Sequence, residues 1–195
     1  MRAQLLLAVL LYSFNLAAQT APTQKAPWDQ VVPHEKMPEL DSAKLMPSQT
    51  AAIRQLFKAE GAWDCEPDEL DDLVRGLSLH SVPVAKGASV VLAEAGAGCA
   101  RGGQGSNGAM WLLRLSDDGV TLIAGPKEFF NGWLYSIQPT ESHGYRDIVL
   151  GWHMSASEYG LAYFRFDGKR YRSIGSATAK VDDDTDKTTI TPNKN

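Results

Sequence analysis

Apolar residues recur along this chain at two different spacings, and the change from one to the other divides it. From Pro47-Ser48 onward, Ile53, Leu56 and Phe57 return every three or four residues, the period of one helix face, and proline suits an early helical position. Gly61 can close that helix in a left-handed conformation. A second, shorter helix is predicted over Pro67 to Leu73, with Glu66, Asp68 and Glu69 near the positive end of its dipole. At Leu77-Ser78-Leu79-His80 the pattern already alternates, as a strand does. From Ser89 it is β throughout: Ser89 to Ala93, Met110 to Leu115, Val120 to Ala124, Trp133 to Ile137, Arg146 to Met154 and Leu161 to Phe166. The runs are short, rich in β-branched and aromatic residues, and divided by turn signals at Asp118-Gly119, Asn131-Gly132 and Asp167-Gly168. No helical pattern recurs between strands, which argues against a doubly wound sheet and for neighbours joined by hairpins. The expected fold is α+β: one or two N-terminal helices packed on a mainly antiparallel sheet of about six strands.

The last of these hairpins assigns its own faces. If Met154 faces Gly160 across a five-residue turn, then Ile148, Leu150 and Trp152 face Phe166, Phe164 and Ala162, and all six point into the core. The opposite face carries Asp147, His153, Tyr163 and Arg165, the expected binding surface.

Outside the β region the pattern changes character. Arg2, the apolar run Leu5 to Leu11 and the pair Ala17-Ala18 read as a secretory signal peptide over residues 1–18, with the mature chain starting at Gln19. The run is too short for a permanent membrane span, so no membrane anchor is expected after cleavage. Residues 19–46 carry Pro22, Pro27, Pro33 and Pro38 among polar residues and read as an extended leader; Trp28 and Val31-Val32 can dock part of it on the domain. The globular α+β domain is expected over 47–172. After Tyr171 and Arg172 the apolar periodicity is lost, and 173–195 reads as a polar, acidic, disordered tail.

Composition narrows the function classes. The formal charge of −4 becomes −5 once Arg2 leaves, and Asp182, Asp183, Asp184 and Asp186 against Lys187 hold three of those negative charges. The folded part is near neutral, without the basic stripe that nucleic acid requires. Two cysteines in an exported chain predict one disulfide, Cys65 to Cys99.

Hydrolase residue types occur at His143, Asp147, His153, Ser155 and Glu158. Asp147 and His153 are six residues apart on one predicted strand, about 20 Å at ~3.3 Å per residue, far beyond the reach of an acid-base pair. Ser155 is not in a GxSxG elbow. These residues therefore read as ordinary strand-end and turn positions, and no catalytic residue is assigned. His34, His80, His143 and His153 are dispersed, so neither a metal nor a cofactor is expected; His143 and His153 could still meet in space. Asp182, Asp184 and Asp186 imitate the start of a calcium loop, but Lys187 occupies the glycine position and Asn193 that of the bidentate glutamate. The glycine-rich stretch Gly96 to Gly108 lacks the Walker lysine and precedes a strand, which makes it a loop anchored by Cys99 rather than a phosphate cradle. Trp133, Tyr135, Tyr145, Trp152, Tyr159 and Tyr163 crowd the later strands, where exposed aromatics stack on sugar rings or fill a partner's pocket.

Gly144-Tyr145-Arg146-Asp147-Ile148-Val149 and Tyr163-Phe164-Arg165-Phe166-Asp167-Gly168-Lys169-Arg170-Tyr171 together resemble a GYxDIV…YxRFDGKxY hairpin of exported bacterial proteins. The first half is also similar to the G-x-x-D-L-V strand of FG-GAP propeller repeats, here in a single copy and without their calcium loop. The resemblance implies a bacterial exported α+β domain, periplasmic or secreted, and brings no catalytic residue with it. The expected function is a non-enzymatic binding module of the bacterial envelope or exterior, taking a protein or a glycan. The alternative is a small secreted hydrolase acting on cell-wall or polysaccharide material.

Overall fold

The computed structural model describes residues 25–194 apart from 38, 61–64, 97, 101–106, 118, 129–130, 183 and 186. The signal-peptide segment, Gly61 and the middle of the glycine-rich loop lie outside the described residues. Helix α1 spans Pro47–Glu60. Its start is set locally: the Gln49 side chain reaches back to accept the Met46 N–H at 3.0 Å, half of a capping box, with proline at the first helical position. The same side chain donates to the Ser116 carbonyl at 3.2 Å and so fixes the helix to the sheet below. Ile53 and Phe57 form the buried stripe. Helix α2 is Leu70–Arg75, three residues later than expected because Pro67 to Glu69 form a turn, with Leu70 and Leu73 inward.

Nine strands follow among the described residues: β1 Leu77–Ser81, β2 Ser89–Ala95, β3 Met110–Ser116, β4 Gly119–Ala124, β5 Trp133–Ser142, β6 Tyr145–His153, β7 Glu158–Phe166, β8 Tyr171–Asp182 and β9 Lys187–Pro192. They form two antiparallel meanders, β1-β2-β3-β4 and β5-β6-β7-β8-β9, where a single sheet of about six strands was expected. The physical sign of two sheets is in the strands themselves. Val90 to Ala93 and Met110 to Leu113 are buried at every position, so β2 and β3 have no solvent face. Val90, Leu92, Met110 and Leu112 meet Leu134, Ile148, Leu150, Phe164 and Phe166 of the second sheet. Ala93, Trp111 and Leu113 pack instead against Ile53, Phe57, Leu70 and Leu73 of the helices. The layers run helices, first sheet, second sheet, with isolated bridges between the two sheets at Ala109–Asn131 and Ala85–Tyr145. Arg170, on the β7–β8 turn, pairs with Glu60 of α1 at 3.1 Å and Glu128 at 2.8 Å, clamping the helical layer to the second sheet.

Two further expectations are corrected. Residues 173–195 are not a disordered tail: most of β8 and all of β9 lie there, with Ala177 and Ala179 buried. Its small residues Ala177 and Ala179 and its threonines Thr178, Thr188, Thr189 and Thr191 add little hydropathy, although threonine suits a strand. Its acidic turn closes on itself, Asp182 Oδ1 accepting from the Asp184 and Thr185 N–H groups and the Thr185 hydroxyl. The β6–β7 register is also displaced by two residues, Ile148 facing Phe164 and Leu150 facing Ala162. An even displacement keeps every side chain on its face, so Ile148, Leu150, Phe164 and Phe166 are core as expected. Trp152 is not fully buried; it sits at the end of the sandwich, its ring over Gly160, where an added Cβ would meet the indole at 2.1 Å.

Cys65 and Cys99 are bonded, their Cα atoms 5.1 Å apart, and tie the segment before α2 to the loop between β2 and β3. The bond is compatible with an extracytoplasmic location. Serine at both positions is expected to lower stability by about 3 to 4 kcal/mol through the unfolded state, read in denaturant melts. A loss under about 1 kcal/mol would contradict that account. No helix among the described residues is long and apolar enough to cross a membrane, which says nothing of strands.

Candidate functional site

The second sheet's outer face holds the four residues expected to form a binding surface, and the structure separates them into two groups. Asp147 and Tyr163 are fully buried, and Arg165 is 19% exposed. Arg165 donates to the Asp147 carboxylate from Nε at 3.1 Å and Nη2 at 2.8 Å. The Thr140 hydroxyl donates to the same carboxylate at 2.9 Å, and the Tyr163 phenol at 3.3 Å. Burial, above all, pushes the Tyr163 phenol above its ordinary range, so it stays a neutral donor. A closed, internally satisfied network of this kind has little capacity left for a ligand.

What covers it is the leader. Trp28 stands edge-on to Tyr163 at 5.7 Å, the Val32 N–H donates to Gln138 Oε1 at 3.0 Å, and His34 Nδ1 lies 2.8 Å from the Tyr135 carbonyl oxygen. The docking expected of Trp28 and Val31 is therefore real, and it covers Tyr163, beneath which Asp147 is fully buried. Alternation had placed them correctly on the outer face; it could not show that another part of the chain lies there.

Beyond the leader the same face carries a row of rings. Trp133 stacks on His153 at 4.5 Å and meets Tyr159 at 5.9 Å; Tyr159 meets Tyr135 at 5.9 Å, and Tyr135 meets His34 at 5.7 Å. The arrangement depends on glycine. Gly132, at φ +92°, has no room for a Cβ, which would lie 2.0 Å from the Gly151 carbonyl oxygen. Gly151 lets the Trp133 indole lie flat across the strand, since a Cβ there would be 2.7 Å from two ring atoms. Asn107 then holds the end of β6, accepting the His153 N–H at 3.0 Å and donating to its carbonyl at 3.3 Å. His153 is exposed, and Trp133 and Tyr159 are half-buried, which gives an aromatic shelf open to solvent at one end.

The hydrolase residue types are scattered. His143 occupies the two-residue β5–β6 turn at φ +52° followed by Gly144 at +77°, the conformation that tight hairpin turns require. It lies at the opposite end of β6 from His153, about 30 Å away at the usual rise of ~3.3 Å per residue, so the two histidines do not meet. Ser155 Oγ accepts the Glu158 N–H within the β6–β7 loop, and Glu158 faces Lys180 at 3.8 Å. Among the described residues no three His, Cys, Asp or Glu side chains are placed to hold a metal ion.

One group went unnoticed in the sequence. Ser78 and Glu94 are partners across β1 and β2, and His80 Nε2 lies 3.7 Å from Glu94 Oε2. Ser78 and Glu94 line a cleft of about 330 Å³ that Trp133 also lines. The available signal was modest: Ser78 and His80 alternate on a strand whose hairpin partner ends in a lone glutamate.

No protein-family model, curated protein or solved structure matches this chain.

Proposed function

We propose that this chain is an exported, non-enzymatic binding module of the bacterial envelope or exterior whose ligand is a glycan. The observation that carries the reading is the shelf of Trp133, Tyr159 and His153, laid flat on rigid antiparallel strands and left open to solvent. Flat, partly exposed rings present an apolar face matched to the C–H face of a sugar, with polar edges for its hydroxyls. Two residues of the expected surface, Asp147 and Tyr163, serve the reading only by stiffening the sheet; His153 is at the shelf itself. Export draws on the signal-like residues 1–18 and on the disulfide.

A hydrolase reading draws on one observation, the imidazole of His80 beside the Glu94 carboxylate. Ser78 lies two positions along the same strand, and among the described residues no hydroxyl is hydrogen-bonded to His80, so the nucleophile-base contact is missing.

Tryptophan fluorescence and NMR titration with soluble β-1,4-linked oligosaccharides test the proposal. Binding should perturb the Trp133 and His153 signals, and Trp133→Ala should weaken it about tenfold, or ~1.4 kcal/mol, with the fold intact. Failure of every saccharide to bind, or unchanged affinity in Trp133→Ala, would sink it. Reducing-sugar release abolished by His80→Ala would promote the hydrolase in its place.

A further inference from the structure

The cleft beside Trp133 has a chemistry that the aromatic shelf does not explain. Its walls are small: Ala95, Gly96, Gly108, Ala109 and Gly132 leave about 330 Å³ open, near the lower end, about 300 Å³, of small-molecule sites. Among the described residues its one charged wall is Glu94, whose side chain is 34% exposed. Among the described residues no hydrogen bond reaches its carboxylate: His80 Nε2 lies 3.7 Å away, beyond hydrogen-bonding range, and Ser78 faces it across the strand pair. Glu94 therefore differs from the buried acids of this fold. Asp147 has Arg165, Thr140 and Tyr163, and Glu128 has Arg170 and Arg172. A carboxylate drawn partly out of water without a donor costs free energy that a bound partner can recover. Consistent with that environment, burial raises the Glu94 pKa and the nearby imidazole only partly offsets it.

From this geometry we infer that the cleft is an amine-recognition subsite, in which Glu94 accepts the ammonium of an amino sugar while the adjoining ring packs beside Trp133. The inference rests on the glycan reading and specifies its ligand as a glycan with free amino groups. An ammonium brings three N–H donors and a full positive charge to a carboxylate that no described residue hydrogen-bonds. Charge-assisted hydrogen bonds are roughly twice as strong as neutral ones, so an amine is favoured over a sugar hydroxyl at this position. An acidic sugar is repelled. The Trp133 indole face adds a second attraction for a cation held near it. Ser78, directly across from Glu94, supplies a hydroxyl for the neighbouring sugar oxygen.

Three β-1,4-linked tetrasaccharides that differ only at C2 separate the possibilities: cellotetraose with a hydroxyl, the N-acetylglucosamine tetramer with an acetamide, and the glucosamine tetramer with an ammonium. Calorimetric titration of the disulfide-intact protein should show the glucosamine tetramer binding at least tenfold more tightly than the other two. Glu94→Gln, nearly identical in shape, should abolish that preference, bringing the glucosamine tetramer to the affinity of the other two sugars, with thermal melts confirming the fold. Equal affinity for all three sugars overturns the amine subsite and leaves the glycan reading standing. A preference that survives Glu94→Gln overturns it too, since attraction to the net negative chain would then account for the amine. Absence of binding by any tetramer removes the glycan reading and this inference with it.

Discussion

Arg165→Met is expected to destabilise the protein by about 3 to 5 kcal/mol, because it leaves the Asp147 carboxylate buried without its counter-charge. Asp147 is 0% exposed, and Arg165 contributes two of its closest contacts, at 2.8 and 3.1 Å. Thr140 and Tyr163 remain, but two neutral hydroxyls do not replace a guanidinium in a site from which water is excluded. Replacing both partners, Asp147→Leu with Arg165→Met, should recover most of the loss, as buried pairs exchanged together for apolar residues commonly do. Urea melts of the two single variants and the double variant give the coupling directly. A single-variant loss below about 1 kcal/mol would mean that the pair does not hold the outer face of the second sheet together.

Trp111→Ala should cost a similar amount, about 3 to 5 kcal/mol, for a different reason. Trp111 is 1% exposed and fills the space between α1 and the first sheet, its ring 4.5 Å from that of Phe57. The helix is held from below by this contact and at its start by Gln49, so the cavity left by the indole cannot be closed by sliding α1 inward. Met154, 57% exposed on the β6–β7 loop, provides the control: Met154→Ala should change stability by no more than about 0.5 kcal/mol. Equal effects of the two substitutions would show that the helical layer is not seated on Trp111.

Several features of this molecule follow from short stretches of chain and were legible there. The start of α1 at Pro47, the hairpin pairing of successive strands within each sheet and the core face of the β6–β7 hairpin all depend on neighbouring stretches of chain. The face assignment survived a two-residue error in register because side-chain direction depends only on parity. The disulfide was legible because only two cysteines are present. The aromatic shelf was half legible: Trp133, Tyr159 and His153 stood out as residues, but their stacking depends on Gly151 and Asn107 from other parts of the chain.

What distance along the chain conceals, packing decided. The fully buried runs of β2 and β3 are compatible with a buried strand in many settings, and only the meeting of two sheets and a helical layer shows what lies on each side. Alternation put Asp147, Tyr163 and Arg165 on one outer face; whether that face meets water depended on where a leader more than a hundred residues earlier came to rest. The β8–β9 hairpin, built from alanine and threonine, gains its stability from the sheet it extends rather than from its own hydropathy. Periodicity along a chain thus determined which way each side chain points, because backbone geometry is local. What each side chain points at was decided by tertiary contacts between segments far apart in sequence, whose pairing no local pattern encodes.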